Sequence, residues 1–155
     1  MLITPLGHTE FLVDMASREG GNVRILIDSW LSDYAVGDMM ERTVKVRLDP
    51  EKIETIDAIY ISHCHSDHFD PYTLYDLLEK GGGIRRTNDG GLGNGEGAKN
   101  QSSVSTSSSQ LLSQGAPKPL LILPFTLRYL EPLLSEFLPN ARVKWLMNKE
   151  VFLFK

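Results

Sequence analysis

Three of the four histidines in this sequence lie within six residues of one another, together with an aspartate. They belong to the segment Ile61-Ser62-His63-Cys64-His65-Ser66-Asp67-His68. Imidazole nitrogens and carboxylate oxygens without thiolates are typical ligands of catalytic zinc, iron and manganese sites. The segment is therefore a candidate metal-binding loop, and a metal ion held there with an open position would activate water for hydrolysis.

The element that positions this loop is the nearly continuous apolar run from residue 56 to residue 61, which predicts an interior strand. Successive side chains of an extended backbone point to opposite sides, so His63 and His65 share one side. Asp67 and His68 follow after the chain has begun to turn, and they can face the same cavity from another direction. We therefore expect two adjacent metal positions.

Cys64 is the only cysteine, so the chain cannot form an intrachain disulfide, and a reducing compartment is expected. The same alternation turns its side chain away from the histidines, and we expect a small buried thiol rather than a ligand. The N-terminus lacks the pattern of a signal peptide, and no apolar run reaches membrane-spanning length. These features favour a cytoplasmic protein without a membrane span.

The composition is that of an ordinary globular protein, with 155 residues, 41% hydrophobic residues, 23% charged residues and a net charge of -4. This length suits one domain. A mildly acidic chain lacks the basic field that phosphate backbones require, so no nucleic-acid partner is expected. The oligomeric state is left open.

Short apolar or alternating runs predict strands at residues 2–3, 10–13, 23–27, 43–48, 56–61, 120–123, 142–147 and 151–154. Asp70-Pro71 supplies an N-cap followed by a proline, which predicts a helix over 71–80 stopped by Gly81. A second helix is predicted over 127–138, interrupted or restarted at Pro132. Strands followed by alternating strand and helix predict a layered α/β fold.

Residues 81–118 differ from the rest of the chain because they are rich in glycine and then in serine. Such a segment buries too little apolar surface to offset the entropy lost on ordering, which predicts a disordered insertion. The insertion divides one domain into a first part at 1–80, with the metal loop, and a continuation at 119–155.

The four candidate ligands match the signature His-x-His-x-Asp-His at every fixed position, so the sequence resembles the metallo-β-lactamase superfamily. The resemblance implies that His63 and His65 hold one metal and that Asp67 and His68 hold the other. It also implies that Asp67 orients the nucleophilic water and is the catalytic residue. One or two Zn²⁺ ions are implied, with Mn²⁺ or Fe²⁺ as alternatives, within the N-terminal half of a four-layer αβ/βα sandwich.

Three flanking segments, Gly7-His8, Ile27–Leu31 and Phe69–Leu74, are similar to one branch of that superfamily. The branch contains L-ascorbate-6-phosphate lactonase, N-acyl-phosphatidylethanolamine phospholipase D and relatives of CMP-N-acetylneuraminate hydroxylase. It implies hydrolysis of a phosphodiester, lactone or similar ester-like bond in a small-molecule or lipid-like substrate. Asp28 resembles a strand-end aspartate that supports the metal loop, with a simple turn former as the alternative. His8 resembles a residue near the mouth of the site, with a polar hairpin residue as the alternative.

No histidine follows His68, so the remaining ligands of the family cannot be matched to any position up to Lys155. The apolar residues 151–154 also end the sequence without a turn or polar tail. Both features predict an N-terminal fragment of a longer enzyme. The alternative is a truncated or degenerate binding protein of the same fold without catalysis. A redox role lacks support because the sequence has no Cys-x-His iron–sulfur pair.

Overall fold

The computed structural model describes residues 1–18, 20–35, 39–44, 46, 55–79 and 118–147. Within these ranges the strands are β1 (Leu2–Pro5), β2 (Phe11–Ala16), β3 (Asn22–Ile27), β4 (Tyr34–Ala35), β5 (Met40–Glu41), β6 (Ala58–Tyr60), β7 (Leu120–Pro124) and β8 (Arg142–Leu146). The helical segments are α1 (Pro71–Leu78), a 3₁₀ helix (Phe125–Leu130) and α2 (Glu131–Phe137).

Six strands form one sheet in the order β1-β2-β3-β6-β7-β8. The pairs β1–β2 and β2–β3 are antiparallel, whereas β3–β6, β6–β7 and β7–β8 are parallel. The short strands β4 and β5 pair separately. This mixed sheet with a few helices confirms the α/β class and the interior position of β6. The four-layer sandwich stays a prediction.

The core is a row of apolar side chains across one face of the sheet. Leu12, Leu26, Ile59 and Leu121 lie opposite one another in the strand register, and none is more than 1% exposed. Helix α1 contributes Leu74, Leu77 and Leu78 to the same cluster. Because burying each such side chain stabilises the fold by about 1.5–3 kcal/mol, this row fixes β6 and the start of the metal loop.

Helix α1 begins where the sequence predicted. The Asp70 carboxylate accepts hydrogen bonds from the Tyr72 amide at 3.1 Å and the Thr73 hydroxyl at 2.6 Å, and Pro71 occupies the first turn. The helix ends at Leu78, two residues before the predicted end. Gly81, the predicted stop, lies outside the described residues.

The second predicted helix is interrupted, as expected, near Pro132. A 3₁₀ helix ends at Leu130, and α2 starts at Glu131 with the proline in its first turn. Proline is tolerated there because the first amides of a helix need no partner within it.

The prediction of a half-exposed strand at 43–48 is wrong for the described residues Thr43, Val44 and Val46, which are not in a strand. The strand in this region is β5, and the next residue, Arg42, is buried against Glu10. That contact and the hydrogen bond from the Arg42 amide to the Asp33 carbonyl hold the chain in a bend. Val44 is consequently 77% exposed instead of alternating into a sheet.

The predicted insertion at 81–118, apart from its last residue, and the predicted strand at 151–154 lie outside the described residues. Lys118, the last residue of the predicted insertion, is described, and its ammonium lies 3.3 Å from the Glu79 carboxylate. Among the helices that the structure describes, none has the length and apolar character needed to cross a bilayer.

The Glu79 carboxylate joins the end of α1 to the segment before β8. It accepts hydrogen bonds from the Asn140 amide at 3.0 Å, the Asn140 side chain at 2.9 Å and the Lys118 ammonium at 3.3 Å. Burial raises the pKa of this carboxyl, but the hydrogen bonds from Asn140 and Lys118 outweigh burial and lower the pKa below its ordinary value of 4.5. The folded state therefore favours the ionised form.

This lowered pKa predicts a pH-dependent contribution to stability. The contribution is complete above about pH 4.5 and is lost as the pH falls through the lower folded value. We expect Glu79→Gln to lose less unfolding free energy than the wild type on acidification, as measured by urea titration at several pH values. The exposed Glu136→Gln serves as the matched control and should follow the wild type. Equal acid sensitivity of both variants would contradict the prediction.

Candidate metal centre

The candidate ligands lie at the carboxyl edge of the parallel part of the sheet. The loop 61–70 follows β6, Asp28 follows the neighbouring strand β3, and the 3₁₀ helix follows the other neighbour, β7. The carboxyl ends of parallel strands meet at one edge, where ligands of α/β proteins commonly bind. The topology thus brings residues that are distant in sequence to one place.

Asp28 anchors the loop to β3. Its carboxylate accepts hydrogen bonds from the Ser62 amide at 2.7 Å and the Ser62 hydroxyl at 3.0 Å, and it lies 2.8 Å from Nδ1 of His68. The backbone contributes too, because the Ser29 amide donates to the His68 carbonyl at 2.9 Å. The predicted contact of Asp28 with the loop is therefore present.

These contacts select one tautomer for two of the histidines. The Asp28 carboxylate can only accept, so His68 donates from Nδ1. The Ser62 hydroxyl gives its hydrogen to Asp28, so it accepts from Nδ1 of His63 at 2.9 Å. In the neutral form of each ring Nε2 then carries the lone pair, and this tautomer is common in histidines that bind metal.

His63 and His65 are brought together as expected from strand alternation. Nε2 of His63 lies 3.1 Å from Nδ1 of His65, and the two rings meet edge to face. Two nitrogens bound to one tetrahedral zinc, each about 2.0–2.1 Å from it, lie about 3.4 Å apart. The observed spacing is close to that of a ligand pair.

Asp67 lies between two imidazoles. Its Oδ2 is 3.7 Å from Nε2 of His68 and 3.8 Å from Nε2 of His8, which is 68% exposed and packs edge-on against Trp30. His68 in turn packs on His63, with ring centroids 3.8 Å apart. The four predicted ligands therefore form one cluster, with His8 at its rim.

The types of donor atom in the cluster suit a transition metal, but the number of side chains around any one metal position is smaller than a complete site requires. Imidazole and carboxylate donors suit zinc, iron or manganese, and each pair has a spacing compatible with one ion. Within the described ranges, however, no three His, Cys, Asp or Glu side chains are arranged to hold one ion together. Metal binding by His63, His65, Asp67 and His68 stays a prediction.

Several residues around the loop were missed by sequence reasoning. The Thr9 hydroxyl donates to the Asp67 carbonyl at 2.7 Å across 58 positions of sequence, and Ser62 bonds both Asp28 and His63. Ser62 could have been identified because it lies inside the predicted loop. Thr9 carries no comparable signal, since its role depends on the turn between β1 and β2 lying against the loop that follows β6.

The prediction of a buried Cys64 is wrong, because the thiol is exposed. The side chain lies against the 3₁₀ helix rather than in the core. The Tyr129 hydroxyl donates to Sγ of Cys64 at 3.1 Å. This hydrogen bond raises the pKa of Tyr129 above its ordinary value of 10.0.

Comparison with known proteins gives two partial similarities and no matching family model. The chain is 36% identical over 66 residues, 43% of its length, to a UPF0173 metal-dependent hydrolase from Aeropyrum pernix. It is 34% identical over 80 residues, 52% of its length, to a Rieske 2Fe-2S iron-sulfur protein from Mycolicibacterium smegmatis. These segments span 21% and 14% of the two proteins, respectively. A Rieske cluster requires two cysteines, and these 155 residues contain one.

We predict that Asp28→Asn will disturb the tautomer of His68. Asparagine tolerates the left-handed backbone at this position, where φ is 50°, but its amide nitrogen cannot accept a proton from Nδ1. Ring-nitrogen NMR shifts at about pH 8, where free imidazoles are neutral, should show Nδ1–H in the wild type and a mixture in the variant. Asp14→Asn, on β2, is the control. Nε2–H in wild-type His68 would contradict the assignment.

We also predict that Cys64 reacts with a thiol reagent in the folded protein. Because the side chain is exposed, the reaction with Ellman's reagent should reach one equivalent without denaturant. Cys64→Ser provides the blank. A thiol that reacts only after unfolding would show that the side chain is buried after all.

Proposed function

We propose that this chain is the metal-binding part of a metal-dependent hydrolase of the metallo-β-lactamase superfamily, which cleaves a phosphodiester, lactone or similar ester-like bond. The His-x-His-x-Asp-His pattern and the similarity to a metal-dependent hydrolase over 66 residues support this proposal. The proposal includes the four-layer sandwich of that superfamily, with the observed six-stranded sheet as a part of it.

The observation that carries the proposal is the orientation of the imidazoles. Ser62 and Asp28 bind Nδ1 of His63 and His68, so Nε2 of each ring faces another candidate ligand: Nδ1 of His65 at 3.1 Å and the Asp67 carboxylate at 3.7 Å, respectively. A histidine cluster formed by chance on a solvated loop would have no such partners. Buried hydrogen bonds that fix the ring and tautomer are what a metal-binding histidine requires.

The ion would be held by His63 and His65 at one position and by Asp67 and His68 at the other. Zinc fits these donors, and Mn²⁺ or Fe²⁺ fits the carboxylate position as well. In sites of this kind the metal lowers the pKa of a coordinated water to about 7, so that a nucleophile exists at neutral pH.

The residues of the loop would bind the metal ion and orient the attacking water. The Asp67 carboxylate is 30% exposed, so an attacking water can reach it and donate a hydrogen bond to it. The contacts at Nδ1 hold the rings of His63 and His68 with Nε2 toward the other candidate ligands. Because His65 is exposed, a substrate can approach the pair from solvent.

We propose a small-molecule or lipid-like ester substrate and a cytoplasmic location. The net charge of -4 supports a partner other than nucleic acid, because phosphate backbones bind to basic surfaces. The exposed aromatic side chains of Phe125 and Tyr129, on the 3₁₀ helix beside the loop, offer apolar contact to such a substrate.

Metal titration tests the ligand assignment. We expect the wild-type chain to bind Zn²⁺ or Co²⁺ weakly, since only two ligands serve each position. The double variant His63→Ala, His65→Ala and the single variant Asp67→Asn should each lower the affinity about tenfold or more. Competition with a chromogenic chelator and the visible spectrum of bound Co²⁺ measure the affinity and the ligand set.

Asp57→Asn is the matched control for Asp67→Asn, because Asp57 lies at the opposite end of β6 and bonds Arg24 instead. Hydrolysis of bis(p-nitrophenyl) phosphate and of a simple aryl lactone gives the second readout. Metal binding that survives all three ligand changes would refute the assignment. Metal binding without hydrolysis of any ester probe by the complete protein would refute the hydrolase proposal.

A further inference from the structure

The turn that joins β1 to β2 lies against the metal loop. Its residues are Gly7, His8 and Thr9, and we call it the hairpin turn. Thr9 donates its hydroxyl hydrogen to the backbone carbonyl of Asp67 at 2.7 Å, and Nε2 of His8 lies 3.8 Å from the Asp67 carboxylate. The hairpin turn therefore contacts both the backbone and the side chain of one candidate ligand.

A buried ion pair lies beneath the hairpin turn. Arg42 donates from its guanidinium to both oxygens of Glu10, and the side chains are 5% and 0% exposed. Glu10 also accepts from the Thr9 amide at 3.3 Å, and its carbonyl accepts from the Leu6 amide at 2.9 Å. The same carboxylate thus holds Arg42 on one side and the backbone of the hairpin turn on the other.

The packing leaves little space between the turn and the pair. A Cβ added to Gly7 would lie 2.2 Å from the Arg42 guanidinium and 2.6 Å from the Glu10 carboxylate, so the turn backbone rests directly on them. The guanidinium also lies 4.1 Å from the centre of the Trp30 ring and donates to the Trp30 carbonyl. Arg42 is consequently fixed from two sides.

A buried ion pair adds little to the free energy of unfolding. Desolvation of both charges cancels much of their attraction, and apolar residues of the same volume often stabilise a core as well or better. What an ion pair adds is a fixed geometry, because its hydrogen bonds are directional. Because Glu10 is next to Thr9 in the sequence and accepts a hydrogen bond from its amide, the ion pair fixes the backbone of the hairpin turn at Thr9.

We propose that Thr9 is a positioning residue for Asp67 and that the buried Glu10–Arg42 pair holds Thr9 in place. This inference deepens the proposed function and rests on it, because Asp67 is taken as the ligand. Asp28 fixes the loop from the side of β3, and Thr9 fixes it at Asp67 from the side of β2. Without the second contact, the carbonyl of Asp67 loses its partner and the loop between His65 and His68 is held from one side only.

The test compares Thr9→Val, which removes the hydroxyl at nearly constant volume, with Thr9→Ser, which keeps it. Thr4→Val makes the same change on β1, away from the loop, and is the matched control. In metal-free protein, Thr9→Val should speed hydrogen exchange of the His68 and Phe69 amides, which donate to the His65 carbonyl, by about tenfold. Thr9→Ser and Thr4→Val should exchange like the wild type.

The second readout is metal affinity, measured by chelator competition with Zn²⁺. Thr9→Val should bind about tenfold or more weakly, Thr9→Ser should recover most of the loss, and Thr4→Val should bind like the wild type. Free energies of unfolding measured in urea separate positioning from general stability. A Thr9→Val variant destabilised no more than Thr4→Val but weaker in metal binding supports positioning.

Two results would overturn the inference. Unchanged amide exchange and unchanged metal affinity in Thr9→Val would remove the role of Thr9. Wild-type exchange in Arg42→Lys, which keeps a charge but loses the planar fork, would remove the role of the ion pair. If the wild type binds no metal and Thr9→Val still loosens the loop, the positioning of Asp67 stands and the proposed function fails.

Discussion

The carboxylate of Asp28 is the contact on which the arrangement of the loop depends. It receives the Ser62 amide and hydroxyl and the Nδ1 hydrogen of His68, so one buried group fixes the start of the loop and its last histidine. Its backbone has a φ of 50°, which an aspartate adopts more readily than most residues. This left-handed backbone conformation turns the chain at the end of β3 and places the carboxylate beside β6. His68 takes its orientation from this contact directly, and His63 takes it through Ser62.

The loop is thus held mainly by hydrogen bonds to other segments of the chain rather than by hydrogen bonds within it. Its internal backbone contacts include only the bonds from the His68 and Phe69 amides to the His65 carbonyl. Asp70 adds another support at the far end, because its carboxylate caps α1 and accepts from the Ser32 amide at 3.2 Å. Aspartates therefore hold both ends of the segment that carries the candidate ligands. This arrangement suits a binding loop, which needs its donor atoms on a fixed backbone.

Much of this arrangement was predictable from local sequence. The apolar run before His63 predicted an interior strand, Asp70-Pro71 predicted the start of α1, and Pro132 predicted the break between two helical segments. These signals act over a few residues, so a sequence carries them in full. The failures at 43–48 and Cys64 depend on contacts between distant residues, such as Arg42 with Glu10 and Tyr129 with Cys64. The periodicity of a sequence does not predict which side of a loop another element will cover. The contact of Thr9 with Asp67 was not predicted for the same reason.

The imidazoles of the loop are ordered although the set of metal ligands is incomplete, and these two features have different physical causes. Orienting a ligand and completing a coordination sphere are separate requirements, and hydrogen bonds within the protein meet the first. Nε2 of His63 and Nδ1 of His65 lie 3.1 Å apart, which is a hydrogen-bond distance, so a proton on Nδ1 of His65 can bridge the two rings. Ser62 orients the His63 ring of this pair through Nδ1, whereas Asp28 orients His68. A cation held between the two nitrogens would take the place of that proton, so metal binding there would release a proton.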